Sequence, residues 1–448
     1  MGKSLWTRQG RSRRADENVR GIDDIEGVYD GDKVAGGGLL HRRLFLGGAL
    51  GGATAAGSIL AGTTAAEAEA LGVPPWMKSP GSSFVGYGQP SKHEAKTVRT
   101  FGAQPNSPGT GAARTPHHLM HGAITPNGLH FERSHNGIPD IDPDAHRLLV
   151  RGMVRRPLVF TLEALARYPM ESQTAFIECG GNSGALHGEK PVQGNIQALH
   201  GLVSCAEWTG VRVKTLLAEA GVDSKATWVY AEGADAAAMS RSVPLSKMMA
   251  DAMIALYQNG ERVRPSNGYP MRLLLPGYEG NMQVKRLRRL RVTDGPVMAR
   301  DETSKYTLLL ESGKSQQFFF PIEAKSIITH PSSGLTMRGK GLYQISGLAW
   351  SGNGLISKVE VSADGGKSWP RAQLQGPILP RSLTRFRMPW AWDGSPATLM
   401  SRATDQTGYV QPTRAKLMVE RGARAQYHFN GIACWAVSDK GEVSHVYA

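Results

Sequence analysis

The sequence predicts an α+β protein: a mixed α/β domain followed by an all-β, immunoglobulin-like sandwich. Three observations predict it. The 448 residues are 40% hydrophobic with 54 glycines and 26 prolines, which suits a loop-rich, β-containing globular chain and excludes a coiled coil or a membrane bundle. Between 129 and 317, short apolar runs alternate with helical stretches bounded by Thr and Gly signals. From Phe318 onward the pattern becomes period two, clearest in Ile356-Ser-Lys-Val-Glu-Val-Ser362, with a turn at Asp364-Gly-Gly366.

Residues 1–70 read as a polar, charge-balanced leader ending in an export signal. His41-Arg-Arg-Leu-Phe-Leu46 precedes an uncharged stretch rich in Ala, Gly and Leu, Gly47 to Thr64, and then Ala-x-Ala at Ala66-Glu-Ala68 and Ala68-Glu-Ala70. This is the form of a twin-arginine signal, and it predicts a periplasmic protein exported already folded. The apolar stretch is only weakly hydrophobic and, at about 18 residues, near the lower limit for spanning, so no stable membrane anchor is expected. Residues 71–128, rich in Pro, Gly and Ser, read as an extended arm. Its histidines His117, His118 and His121 lack a nearby acidic or thiol partner, which favours a core or solvated role over metal binding.

Residues 129–317 form the expected catalytic domain. Strands are predicted at Leu129–Arg133, Leu148–Val150 and Trp228–Tyr230. A helix with Thr161 as N-cap is predicted through Arg167, and a helical turn at Leu245–Asp251. Ala206–Leu217 reads as a loop entering a helix that Gly221 closes. Asn267–Lys285 reads as strand, turn, strand. In the sandwich, 318–448, further strands are predicted at Arg381–Trp392 and Ala397–Ala403.

The net charge of +14 and pI near 9.7 favour an anionic cofactor, substrate or protein partner. No zinc-finger spacing or RNP-like aromatic motif argues for nucleic acid. Three cysteines, Cys179, Cys205 and Cys434, do not make a disulfide framework, and without Cys-x-x-Cys-His the chain attaches no c-type haem.

The chemistry centres on Phe176-Ile-Glu-Cys-Gly-Gly-Asn-Ser-Gly184. An apolar strand end meets one thiol, and glycines follow at once. Such a turn clears the backbone for a large group and presents successive N–H donors to an anion. A thiolate there is a soft-metal ligand or a nucleophile. A cysteine chosen at random is more often a small buried hydrophobe, and the glycine pattern is what weighs against that here. Arg133 and His135, leaving a strand, suit an anion clamp, and Arg272 and Lys285 suit phosphate oxygens. Several arginines in Arg286–Val292 read as solvated strand faces. Tyr306 alone reads as packing.

In combination, Glu178-Cys-Gly-Gly-Asn182, Trp208-Thr-Gly-Val-Arg212, Asn267-Gly-Tyr-Pro-Met-Arg272, Val284-Lys285, Trp350-Ser-Gly-Asn-Gly354 and Ser362-Ala-Asp-Gly-Gly-Lys-Ser-Trp369 resemble the sulfite oxidase family of molybdenum enzymes, from about Leu129 to Val437. The resemblance implies that Cys179 ligates molybdenum beside a pyranopterin dithiolene (molybdopterin), and that His135, Asn182, Asn267, Arg272 and Lys285 contact this cofactor. It also implies that Arg133 and Tyr306 face the substrate, and that the sandwich forms a homodimer. Two positions depart from the family pattern. Asn267 stands where a histidine is usual, and Asn430, in His428-Phe-Asn-Gly431, stands where a second substrate arginine is usual. Losing that guanidinium removes a charge-assisted contact to doubly charged sulfite of about a few kcal/mol. The departures make the chain similar to the sulfane dehydrogenase branch of the family. That similarity implies oxidation of sulfane sulfur on a carrier protein during thiosulfate oxidation, with electrons leaving to a dihaem c-type cytochrome subunit. The competing readings are a periplasmic dehydrogenase of free sulfite and, from another class, a non-catalytic exported binding protein.

Overall fold

The computed structural model describes residues 73–448; the twin-arginine signal lies outside them. Residues 73–88 contain one 3-10 turn, Pro75–Met77. Residues 89–448 form a compact unit of their own. Among the described residues no helix is long and apolar enough to cross a membrane.

The site is carried by an antiparallel sheet built around the strand Val203–Arg212, which pairs with Met170–Glu178 on one side and Met253–Gln258 on the other. Arg272–Leu274 adds to Met253–Gln258. The last four residues of Met170–Glu178 are all buried, as the apolar run before Cys179 requires. The expected loop at Ala206–Leu217 is therefore corrected. Its first half is central strand, because neighbours on both edges satisfy its backbone and Cys205, Ala206, Trp208 and Val211 fill the layers above and below. The helix starts only at Val213 and ends at Gly221, whose φ of +72° closes it. A second sheet runs Leu158–Phe160, Leu148–Gly152, Leu287–Thr293, Trp228–Gly233, Ser240–Pro244. Helix Leu162–Ala166 has the expected cap, Thr161 Oγ1 accepting from the Ala164 N–H.

Two other local expectations change. The predicted strand at Leu129–Arg133 is a 3-10 turn, Asn127–Leu129, and then a short strand, Glu132–Ser134. That strand joins the hairpin of Thr100–Ala103 and Gly111–Arg114, so part of the arm is sheet. In Asn267–Lys285 only Arg272–Leu274 is a strand. Lys285 returns beside Arg272 as a single bridge, because the chain between them is folded by the 3-10 turn Gly280–Met282.

The C-terminal part is two four-stranded antiparallel sheets. One holds Lys325–His330, Gly341–Trp350, Thr384–Trp392 and Gln373–Leu374. The other holds Ile356–Ser362, Ala397–Asp405, Cys434–Val437 and Val443–Val446. It is not purely β: Thr413 caps a helix, Arg414–Arg421. Trp350, Phe386 and Trp435 fill the space between the sheets, and the same core continues into Phe176, Leu186 and Val203 of the preceding half. The two halves thus share apolar burial directly behind the Cys179 turn.

Candidate active site

Cys179 sits where Met170–Glu178 ends. Its N–H donates to Leu202 O at 2.9 Å and its carbonyl accepts from Asn182 N at 2.8 Å, which closes the turn. Asn182 completes it, with Nδ2 donating to Glu178 Oε1 at 2.9 Å and Oδ1 accepting from Leu202 N at 3.0 Å. Both polar ends of Asn182 are committed inside the protein and it lines neither cavity at Cys179, so it holds the turn rather than facing a ligand. Glu178 is held from the sandwich. Lys325 Nζ donates to Oε1 at 2.9 Å and Trp350 Nε1 to Oε2 at 2.6 Å. Lys325 also donates to Ser183 Oγ at 2.8 Å, so one ammonium ties residues on both sides of Cys179.

The thiol is partly exposed and unpaired, whereas Cys205 and Cys434 are free and buried. Burial raises the Cys179 pKa; the Gly181 N–H and Arg133 oppose the rise, and Glu279 and Glu178 add to it. A bound cation would reverse that balance and leave the thiolate. Among the described residues no three His, Cys, Asp or Glu side chains gather as a metal site.

One cavity brings together Cys179, Arg133, His135, Tyr306, Asn267, Arg272 and Lys285. Its inner wall is cationic. Arg272 Nη1 and Nη2 donate to Asn267 O and Gln283 O at 2.8 and 3.0 Å, its guanidinium lies 5.1 Å from the Trp208 ring centre, and its Nε has no partner. Burial, and then Arg286, pull its pKa to about 9. Lys285 donates to Arg133 O and Ser266 O at 3.0 Å, and burial, followed by Arg286, pulls its pKa to about 7. Arg286 is buried beside Asp235, not a solvated strand face, and its Nε is also unpartnered. Three crowded cations and two orphaned N–H groups make a receptor for a phosphate. Asn267 gives Nδ2 to Phe131 O at 3.2 Å, and the same nitrogen lies 3.2 Å from His130 Nδ1, whose other ring nitrogen is orphaned. A thiol at one end and a phosphate receptor at the other fit a metal held by a phosphorylated pterin.

At the outer end, Arg133 Nη1 donates to Gly111 O at 3.1 Å and to Ser134 O. His135 Nε2 lies 2.6 Å from Tyr306 Oη. Burial, with Arg133 next, lowers His135 to about 4, so its ring is neutral; burial, and then Cys179, raise Tyr306 far enough to keep its phenol protonated. Tyr306, with φ +55°, is thus more than packing. Asn430 lies elsewhere. It borders a second, smaller cavity that Cys179 also touches, and its Nδ2 donates to Tyr409 Oη at 3.0 Å.

Sequence reasoning missed four buried groups around this turn. Glu279 and His428 pair at 3.0 Å, Oε2 to Nε2. A Cβ on Gly180 would meet Glu279 Oε2 at 3.1 Å and His428 Cε1 at 3.4 Å, so the open face of this glycine is filled by the protein's own side chains rather than by a ligand. Arg241 lies 5.4 Å from the Tyr306 ring centre and 3.2 Å from Glu302 Oε1. The available signals were single charges inside apolar surroundings: Arg241 before Val243, and Glu279 after Leu273-Leu-Leu-Pro-Gly-Tyr278.

Comparison with known proteins agrees with this geometry. Residues 135–300 match the oxidoreductase molybdopterin binding domain family, and residues 316–433 the Mo-co oxidoreductase dimerisation domain family. The chain is 30% identical to mitochondrial sulfite oxidase of Rattus norvegicus over 356 residues, covering 72% of this chain and 62% of that protein. For the Homo sapiens enzyme the identity is 32% over 328 residues, covering 68% and 57%. A nitrate reductase [NAD(P)H] of Hordeum vulgare is 28% identical over 360 residues, covering 72% of this chain and 39% of that protein. The chain therefore spans less than two thirds of the length of these curated relatives. The crystal structure of the sulfane dehydrogenase SoxCD from Paracoccus pantotrophus superimposes with a TM-score of 0.82 at 45% identity, covering 84% of this chain and 97% of that one. A thiol-centred cavity with a phosphate receptor, on a fold shared at this identity along almost the whole of a solved relative, places the chain in the sulfite oxidase family of molybdopterin oxidoreductases.

Proposed function

We propose that the protein oxidises sulfane sulfur bound to a carrier protein and passes the electrons to a c-type cytochrome subunit, in the periplasm, as a homodimer through its C-terminal sandwich. The observation that carries this reading is that position 430 supplies no second guanidinium beside Arg133. Arg133 borders the cavity at Cys179, while position 430 is an asparagine committed to Tyr409. A free dianion would find one bidentate partner where two would be needed to hold it; a sulfur tethered to a protein brings its own binding surface. The similarity to a sulfane dehydrogenase supports the same reading.

Cys179 would hold the molybdenum, and Arg272, Lys285 and Arg286 the pterin phosphate. When bound, this group supplies two-electron oxygen-atom transfer. Each oxygen taken from water releases two protons and two electrons, and haem iron accepts the electrons one at a time. Within this chain, Arg133 holds the anionic sulfur through N–H groups not spent on Gly111 and Ser134. The neutral Tyr306–His135 pair keeps a phenol donor beside the oxygen on which negative charge develops. Lys325, Trp350 and Asn182 fix the thiol through Glu178.

The test is cytochrome c reduction by the purified, molybdenum-loaded protein. Reduction with a persulfidated carrier thiol and slow reduction with free sulfite is the expected result. Rapid sulfite oxidation without any carrier overturns the reading in favour of a sulfite dehydrogenase.

A further inference from the structure

The Cys179 turn faces charges of opposite sign. On one side stand Arg133 and the cations of the inner wall. On the other stands a carboxylate that the proposed function leaves unused. Glu279 is fully buried. Its Oε2 accepts from Asn281 Nδ2 at 2.5 Å and lies 3.0 Å from His428 Nε2, while Oε1 makes no hydrogen bond and lies 3.5 Å from Arg241 Nη1. Nothing lets the carboxylate swing away. His428 is clamped by a 3.9 Å stack on Phe319 and by its N–H, which donates to Gly180 O at 2.7 Å. Arg241 is shared, since it also pairs with Glu302, so one guanidinium serves two buried carboxylates. Glu178, the other acid at this turn, is already engaged by an ammonium, an indole and an amide.

We propose that Glu279 is a specificity-determining residue: its carboxylate, held against Gly180 by His428 and Arg241, disfavours small divalent oxyanions at the Cys179 site and favours a substrate whose reacting end carries at most one charge. The contact that places it is the 3.1 Å between Glu279 Oε2 and the Cβ position of Gly180, the residue next to the thiol. This rests on the carrier-bound sulfane reading and deepens it, adding a repulsive element to the missing guanidinium at 430.

The test reads anion affinity on the full-length holoenzyme by calorimetry, with sulfate and methanesulfonate as unreactive probes of like shape and different charge. In the unaltered protein methanesulfonate should bind at least as tightly as sulfate, despite the overall positive charge. In Glu279→Gln, sulfate affinity should rise about tenfold or more while methanesulfonate changes less. The proposal is overturned if the unaltered protein binds sulfate more tightly than methanesulfonate, if neither anion binds, or if a folded Glu279→Gln leaves sulfate affinity unchanged. Should that variant not fold, Glu279→Asp, which keeps the charge but draws it back from Gly180, takes its place: sulfate affinity should rise relative to methanesulfonate, and an unchanged ratio overturns the proposal. Failure to oxidise a persulfidated carrier, with the anion affinities as expected, would sink the proposed substrate and leave the charge discrimination standing.

Discussion

Replacing Lys325 by Met probes how strongly the sandwich holds the Cys179 turn. Lys325 and Glu178 are both almost wholly buried, with the ion pair at 2.9 Å. Removing one partner of a buried pair generally costs about 3–5 kcal/mol, because the remaining charge is stranded. Here Glu178 keeps the Trp350 and Asn182 donors, so the lower end, about 3 kcal/mol, is expected. Glu178→Gln should cost less, about 1–3 kcal/mol. The ammonium it strands can shed its proton, since burial already lowers the Lys325 pKa against the pull of Glu178. In the double variant no charge is stranded, so its cost should fall short of the sum of the singles by about 2 kcal/mol or more. Urea unfolding of the full chain, followed by tryptophan fluorescence, measures all three. If the two substitutions add within about 0.5 kcal/mol, or if Lys325→Met costs under about 1 kcal/mol, the pair is not what holds Glu178 in place.

Three further outcomes are expected. Lys285 titrates near 7 when folded and near 10.5 when unfolded, so between those values the unfolded chain binds more protons and the stability of cofactor-depleted protein should rise with pH, by at most about 1.4 kcal/mol per unit; Lys285→Met should flatten that slope in denaturation measured from pH 7 to 10. Because an anion raises the ammonium pKa again, cofactor retention after dialysis should weaken as pH climbs through the same window. Gly180→Ala brings a methyl to 3.1 Å from Glu279 Oε2 and should destabilise by about 1–3 kcal/mol with reduced molybdenum content, read by urea midpoint and elemental analysis. Cys179→Ser should lose molybdenum and activity together, whereas Cys205→Ser and Cys434→Ser should retain the metal, since both thiols are buried away from the cavity.

What could be read from the sequence was local. A thiol followed by glycines, an alternating strand and a Thr cap each declare themselves within a few residues, so the turn after Cys179, the strand Ile356–Ser362 and the helix after Thr161 were predictable. The strand at Val203–Arg212 was not, because a strand paired on both edges and buried on both faces loses the alternation that betrays half-buried ones. The buried charges were hidden for a different reason. Arg241, Glu279, Arg286 and Lys325 look like surface residues until the partner is known, and Glu178 and Lys325 lie 147 positions apart. Gly180 was seen but given the wrong neighbour: it makes room for Glu279 and His428, which arrive from distant segments.

The tie between Lys325, Trp350 and Glu178 has a consequence for the order in which the protein becomes competent. Both sandwich residues are translated well after the thiol they secure. Until they arrive, Glu178 has only Asn182 as a side-chain donor, and the strand end leading to Cys179 lacks the apolar cover that the late residues supply. A ribosome-bound chain that stops before residue 325 therefore carries Cys179 on an unfinished support. The expected consequence is that a chain truncated before residue 325 fails to retain molybdenum, which elemental analysis of the truncated protein would check.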